Sequence, residues 1–334
     1  MLKYVLRRII LVVPVVIGIS VLTFTLIRLI PGDPVAIMLQ DQPHTAADLA
    51  RIREQWGLDE PIVLQYASYV SQLVVGDFGR SFMLQTSVLP VIVDQLPATI
   101  ELAVVSLTIA LLIALPVGVI SAVRQYSVFD RLGTIVATLG ISMPGFWIGL
   151  MLIILFSVKL GWLPASGRID YVAGLEPVTG FYVLDSLLTG NLSALASTLK
   201  HLAMPATVLG SAMAALTTRM VRTSMLEVAK QDYVVCARAK GLRERAVVIH
   251  MIRNALIPAI TVLGMQIGGL LGGAIVIETI FAWPGTGRLT VQAISARDYF
   301  LLQGIVLFFA LTTVFFNLLT DIVYGLVDPR IRYT

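Results

Sequence analysis

Six apolar stretches, each long enough to cross a bilayer, constrain this 334-residue chain more than any other feature. A hydrocarbon core about 30 Å thick takes ~20 residues of helix. Residues 9–30, 97–122, 133–158, 201–221, 254–281 and 300–326 meet that requirement. The fold class read from them is an all-α membrane protein with six transmembrane helices. Composition agrees, since 57% of the residues are hydrophobic and only 13% are charged, outside the range of soluble domains. Lys3, Arg7 and Arg8 before the first apolar run imitate a secretory signal. No small-x-small cleavage site follows that run, so a retained first span is expected.

The cations orient the spans. With the N-terminus inside, segments 1–8, 123–132, 219–253 and 327–334 hold 15 Lys and Arg in 61 residues, whereas the outer loops 31–96, 159–200 and 282–300 hold eight in 127. Positive charge concentrates on the cytoplasmic side of membrane proteins, so both termini are expected in the cytosol. Such cations also suit anionic lipid, a simpler reading of the pI near 9.3 than nucleic acid. Loop 31–96 is long and acidic, with three Arg against eight acids. Within it, helices are expected over 46–56 and from Pro61 to about Val75, with Leu64, Tyr69, Val70 and Leu73 as apolar contacts. Loop 159–200 is rich in turn formers and is expected to hold only short helices. The division read along the chain is residues 1–96, the first helix and long outer loop, and residues 97–334, a five-helix core.

The cytoplasmic loop 219–253 carries eight cations and three acids. Leu226, Ala229, Tyr233 and Ala237 recur with the spacing of one helix face. Lys240 followed by Gly241 reads as a helix stop. A second helix is expected from Arg243-Glu244 into the fifth span, where Pro258 would relax or kink it. A helix–Gly–helix element below the membrane can transmit force if a partner grips it; an amphipathic hairpin lying on lipid is the alternative. In the fifth span, Gly264, Gly268 and Gly272 have small-xxx-small spacing. Packing against a partner helix or lining a pore is expected there, in preference to packing within the chain.

Several chemistries are missing. The chain has no phosphate-binding loop of the Gly-x-x-x-x-Gly-Lys-Ser/Thr kind, and His44, His201 and His250 are isolated, so neither an ATPase centre nor a metal site is expected. The single Cys236 excludes an intrachain disulfide. Glu101, Glu278 and Asp321 fall near predicted span ends, leaving no relay of carboxylates through the midplane. Capping or salt bridging is the expected role for these acids, ahead of substrate contact; Glu101 and Glu278 are also candidates for an outer gate or docking contact.

The run Asp232-Tyr233-Val234-Val235-Cys236-Ala237-Arg238-Ala239-Lys240-Gly241-Leu242, with Arg253-Asn254-Ala255-Leu256-Ile257-Pro258 after it, resembles the EAA loop of bacterial ABC-importer permeases. Residues 29–34, 76–81, 142–144, 278–285 and 327–330 extend the likeness to the dipeptide, oligopeptide and nickel branch, and to its permease with the long first periplasmic loop. The slot of the opening glutamate in the wider superfamily signature holds Val235. The resemblance implies a type I importer fold and a pore-forming subunit of an ATP-driven importer in the bacterial inner membrane, moving di- or oligopeptides. Nickel chelates, glutathione or sugars are alternatives within the branch. An ion-coupled secondary transporter and a non-transporting scaffold are the rivals outside it.

By that resemblance, the ATPase-coupling residues are Asp232, Tyr233, Ala237, Arg238, Ala239, Lys240, Gly241, Arg243 and Glu244. Pro258, Gly268, Gly269, Gly272 and Gly273 would be hinge or pore-shaping residues. The implied partners are a second homologous permease, two cytoplasmic ATPases that bind ATP and Mg, and a periplasmic substrate-binding protein. No cofactor is expected on this chain, and hydrolysis is expected in the partners.

Overall fold

The computed structural model describes residues 2–28, 45–55, 57–271 and 274–327. The motif residues 29–34 and 328–330, together with Gly272 and Gly273, lie outside these. The chain is helical throughout the described residues, apart from loops and one isolated antiparallel bridge between Arg80 and Ser87.

Helix α1 spans Leu2–Arg28. The short helices α2 (Ala46–Gln55) and α3 (Ile62–Val74) follow, with Pro61 opening α3. Helix α3 turns Tyr66 and Tyr69 toward α1: the Tyr66 hydroxyl lies 2.8 Å from Ser20 Oγ, and both rings pack on Phe24. Leu64, expected as a contact, is exposed instead, because the tyrosines take the inward positions.

The bundle is built on α4 (Val88–Val123) and α8 (Leu192–Val228). At 1.5 Å per residue, each is roughly 55 Å long and overruns the hydrocarbon core at its ends. The apolar windows 97–122 and 201–221 marked only their middles. Leu102, Ser106, Ala110, Ala114, Gly118 and Ala122 of α4 are buried at every fourth position, and Leu202, Ala206, Gly210, Ala214 and Thr218 of α8 repeat the pattern. Leu102 packs with Leu202 and Ala206, Ala114 with Ala214, and Ala122 with Val221, so the two helices run in the same direction. A Cβ built on Gly210 would stand 2.7 Å from the Ser106 carbonyl oxygen, and one on Gly118 2.9 Å from Val221 Cβ. Small residues at this spacing bring the backbones together where lipid offers no hydrophobic drive for association.

The third apolar stretch is not one helix. Helix α5 (Val128–Ser142) ends before Pro144, and α6 (Gly145–Leu152) continues as π-type turns over Ile153–Lys159. The two halves meet at 98°. Proline disfavours helix at the residue before it, and Met143 accordingly adopts extended backbone. A 3₁₀ turn at Tyr171–Ala173 and α7 (Tyr182–Leu188) occupy the following loop.

After α8 come α9 (Asp232–Ala239) and α10 (Glu244–Leu271), which bends by 43° about Pro258 as anticipated. The fifth apolar stretch also departs from a single span to 281. Helix α10 ends at Leu271, and α11 (Ile275–Ile280) and α12 (Thr286–Ser295) are separate before α13 (Tyr299–Val327). Among the described residues, three helices are long and apolar enough to cross a membrane, or five if each bent pair is one span. The apolar stretch Ile10–Thr25 of α1 is shorter than these. The division read at 96/97 falls inside α4.

Candidate functional site

The two ends of the bundle differ in chemistry. One bears residues 57–87, 160–191 and 281–298 and is called the loop end here; the other bears 124–127 and 229–243 and is called the turn end.

At the turn end, α9 hangs between α8 and α10. Asp232 lies in its first turn and Arg238 in its last, each favourable to the helix dipole. Gly241 takes a positive φ of 77°. Its amide donates to the Arg238 carbonyl at 2.9 Å, and the Leu242 amide donates to the Ala237 carbonyl at 3.2 Å. This pair of bonds is a Schellman stop, which uses the otherwise orphaned carbonyls of the last turn. Lys240, at the preceding position, is the C-cap.

The expected single face through Leu226, Ala229, Tyr233 and Ala237 is corrected here. Helix α8 ends at Val228, and the chain turns at 229–231 before α9 begins, so Leu226 sits on α8, Ala229 caps it, and Tyr233 and Ala237 sit on α9. The anchor is Val234, fully buried against a cluster that includes Met225, Val228, Val247 and Met251. Ala237 packs against the same cluster, beneath α9 rather than on its outer surface. Tyr233 accepts a 2.9 Å hydrogen bond from Asn254 of α10 at its hydroxyl.

The outer surface of the turn is exposed at Asp232, Val235, Cys236, Ala239, Lys240, Gly241 and Arg243. Arg238 pairs with Glu244 at 2.7 Å across the Gly241 turn. That hydrogen bond holds the Glu244 carboxyl below its ordinary range and the Arg238 guanidinium above its own. Of the eight loop cations, Arg219, Lys230, Lys240, Arg243, Arg245 and Arg253 are also exposed. Arg222 is set apart, bound to Asp130 at the start of α5.

The loop end is closed by carboxylates bonded within the chain. Glu101, 6% exposed, accepts from Arg168 at 2.7 and 3.1 Å and from the Val183 amide at 2.7 Å. Arg168 also donates to the Gly180 carbonyl and lies 3.7 Å over the Tyr182 ring. Glu278 is fully buried. It accepts from Thr99 Oγ1 at 2.9 Å and from the Gly287 and Arg288 amides at 2.8 and 3.0 Å, in the first turn of α12. Trp283 is buried beside it, with its indole N–H on the Ala98 carbonyl. Docking through Glu101 or Glu278 is therefore corrected, because both carboxylates are turned inward and hydrogen-bonded.

Two more acids staple this end. Asp298 accepts from Ser81 Oγ, the Met83 amide and the Leu301 amide. Asp185 accepts from the Val178, Thr179 and Gly180 amides and the Thr179 hydroxyl. Burial of Asp185 opposes its charge, yet these four bonds prevail and hold its carboxyl below the aspartate range.

The glycine reading of the fifth span also changes. A Cβ on Gly264 would overlap the Thr320 side chain, and one on Gly268 would touch Asn317 and Thr313. This face packs on α13 of the same chain rather than on a partner helix. Gly269 is exposed with open space around it. Pro258 marks the bend, while Gly272 and Gly273 lie outside the described residues.

Several structural residues escaped sequence reasoning: Val234, Arg168, Asp185, Asp298 and the Asp130–Arg222 pair. Some carried a readable signal. Ser127 and Asp130 have capping-box spacing, and Ser127 does accept from the Asp130 amide. The four-residue repeat of small side chains in α4 and α8 was equally visible.

A family profile described as "Binding-protein-dependent transport system inner membrane component" matches residues 114–333. A profile for the N-terminal part of such proteins matches residues 1–103. A di/tripeptide transport system permease protein of Pseudomonas aeruginosa is 45% identical over all of this chain and 99% of its own length. A dipeptide transport system permease protein of Escherichia coli is 43% identical over all of this chain and 99% of its own length. An oligopeptide transport system permease protein of Bacillus subtilis is 40% identical over the full length of both.

Proposed function

This chain belongs to the family of binding-protein-dependent transport system inner membrane components, and we propose that it is a pore-forming permease subunit of an ATP-driven importer of di- and oligopeptides. The peptide substrate is supported by the names of relatives that match the chain from end to end. In this reading the importer sits in the bacterial inner membrane with both termini in the cytosol, as the cation asymmetry favours.

The observation that carries the mechanism is α9. It is a short, capped helix with an exposed outer surface, rooted by Val234 in the ends of α8 and α10. A cytoplasmic ATPase that seats α9 in a cleft would move those two helices when it closes. The small exposed residues Ala239 and Gly241 permit close seating, and the exposed Lys240 and Arg243 supply a charged rim. Two ATPases, which bind ATP and Mg, supply the hydrolysis. A second homologous permease completes the pore, and a periplasmic binding protein delivers substrate to the loop end.

Reconstitution tests this directly. Proteoliposomes holding the two permeases and both ATPases, supplied with binding protein, should take up a radiolabelled dipeptide only with ATP inside. Vesicles with this chain alone and an ion gradient should take up none. Uptake by the isolated chain, or ATP-driven uptake that survives its omission, sinks the proposal.

A further inference from the structure

Asp130 stands at the base of α5 and Arg222 two turns before the end of α8. Asp130 is 3% exposed. Arg222 Nε donates to Asp130 Oδ1 at 2.7 Å and Nη2 to Oδ2 at 2.9 Å. The Tyr126 amide donates to Oδ2 at 3.0 Å. A two-pronged guanidinium–carboxylate pair fixes orientation as well as distance. Its geometry is set from both sides: Ser127 caps the helix that carries Asp130. Val221 and Met225, flanking Arg222, are buried in the cluster that roots Val234 of α9.

Above this pair α5 stays close to α4 at Gly133, where a Cβ would stand 3.2 Å from Ser121 Oγ and 3.3 Å from Val117 Cγ1. Toward the far end of α5 a Cβ on Gly140 would stand 3.4 Å from Ala215 Cβ of α8. Between these contacts an apolar groove of about 400 Å³ opens along α5, α4 and α8, lined by Val117, Leu132, Val136, Ala137, Ala214 and Thr218 among others. Helix α5 then breaks at Pro144 into the 98° bend. The ion pair is thus the polar tie between the α8–α9 corner and the broken α5–α6 span.

We infer that Asp130 and Arg222 are positioning residues for transport: they carry the displacement of α9 into α5, so that the broken span moves with the corner. Neither residue touches substrate or ATP in this scheme. The inference rests on the coupling role proposed for α9. Apolar packing across the groove supplies no directional contact of its own, so the fork determines how the base of α5 follows.

The test uses the assembled importer in proteoliposomes with its binding protein, reading radiolabelled dipeptide uptake and ATP hydrolysis together. Asp130→Asn and Arg222→Gln should each lower uptake per ATP hydrolysed by about tenfold. Both should leave ATPase co-purification and the hydrolysis rate at parental levels. Combining Asp130→Arg with Arg222→Asp should restore most of the lost ratio. Parental ratios in the single variants overturn the inference. So does an exchanged pair that fails to recover, or a loss of uptake that merely follows reduced recovery of the complex. Failure of the α9 proposal is seen separately, as a parental complex that does not retain its ATPases or does not transport.

Discussion

The Leu242 amide reaches back across Gly241 to the Ala237 carbonyl at 3.2 Å, so one left-handed residue decides where α9 stops and α10 begins. A Cβ on Gly241 meets nothing within 4 Å. Any effect of substitution there starts in the backbone, not in a clash. Left-handed backbone costs a non-glycine residue about 1–2 kcal/mol, and asparagine tolerates it best. Gly241→Val should reduce ATPase co-purification and uptake while membrane insertion stays normal, with Gly241→Asn much milder. Equal behaviour of the two variants in pull-down and uptake assays would refute the role given to this turn.

Ala237 tests the opposite side of α9. It packs on the cluster of Val234, Val247 and Met251. Overpacking a filled site costs typically about 1–3 kcal/mol. Ala237→Leu should lift α9 and lower ATPase binding, whereas Ala239→Leu, on the exposed side, should interfere only by contact with the partner. Hydrogen exchange at 232–242 in the purified subunit separates the two, since only the first should gain exchange before any ATPase is added.

Glu101 and Arg168 form a buried ion pair at the loop end. Removing one member leaves a charge without a partner, at a cost of about 3–5 kcal/mol. Glu101→Ala and Arg168→Ala should each lower the denaturation midpoint in detergent by several degrees. The double variant should fall by less than the sum, because the stranded charge is gone. Additive shifts would show that the two side chains do not act together.

Asp185 gives a pH signature. Its folded carboxyl titrates below its unfolded value, near 3.9. Its contribution is complete above that value and is lost as pH falls through the lower folded one. Amide exchange at Val178, Thr179 and Gly180, corrected for intrinsic pH dependence, should rise in that acidic window. Asp185→Asn should abolish the transition. A transition that persists in this variant assigns it to another group.

Much of the architecture was legible because lipid leaves few options: apolar length marked the spans, and Pro258 and Gly241 announced a bend and a stop. What escaped was geometry set by contacts distant in sequence. Pro144 reads in sequence as part of the 142–144 motif and as one of the prolines common within membrane spans, since apolar continuity through 133–158 masked the 98° break. Glu101 and Glu278 read as residues at a surface because their partners, Arg168 and the amides of Gly287 and Arg288, lie 67, 9 and 10 residues away. The helical spacing of Leu226 through Ala237 ran across a real interruption, since periodicity does not register a turn whose residues keep the phase. In α9 itself the sequence showed the small residues but not which of them faced inward.

The close seam between α4 and α8 has one more consequence. With glycine and alanine in the contact, neither helix can slide or roll on the other without driving a backbone into a carbonyl. The two therefore behave as a single spar through the thickness of the membrane. In the proposed transport cycle, opening and closing are expected at its flanks, where α10 bends at Pro258 and the α5–α6 elbow turns at Pro144.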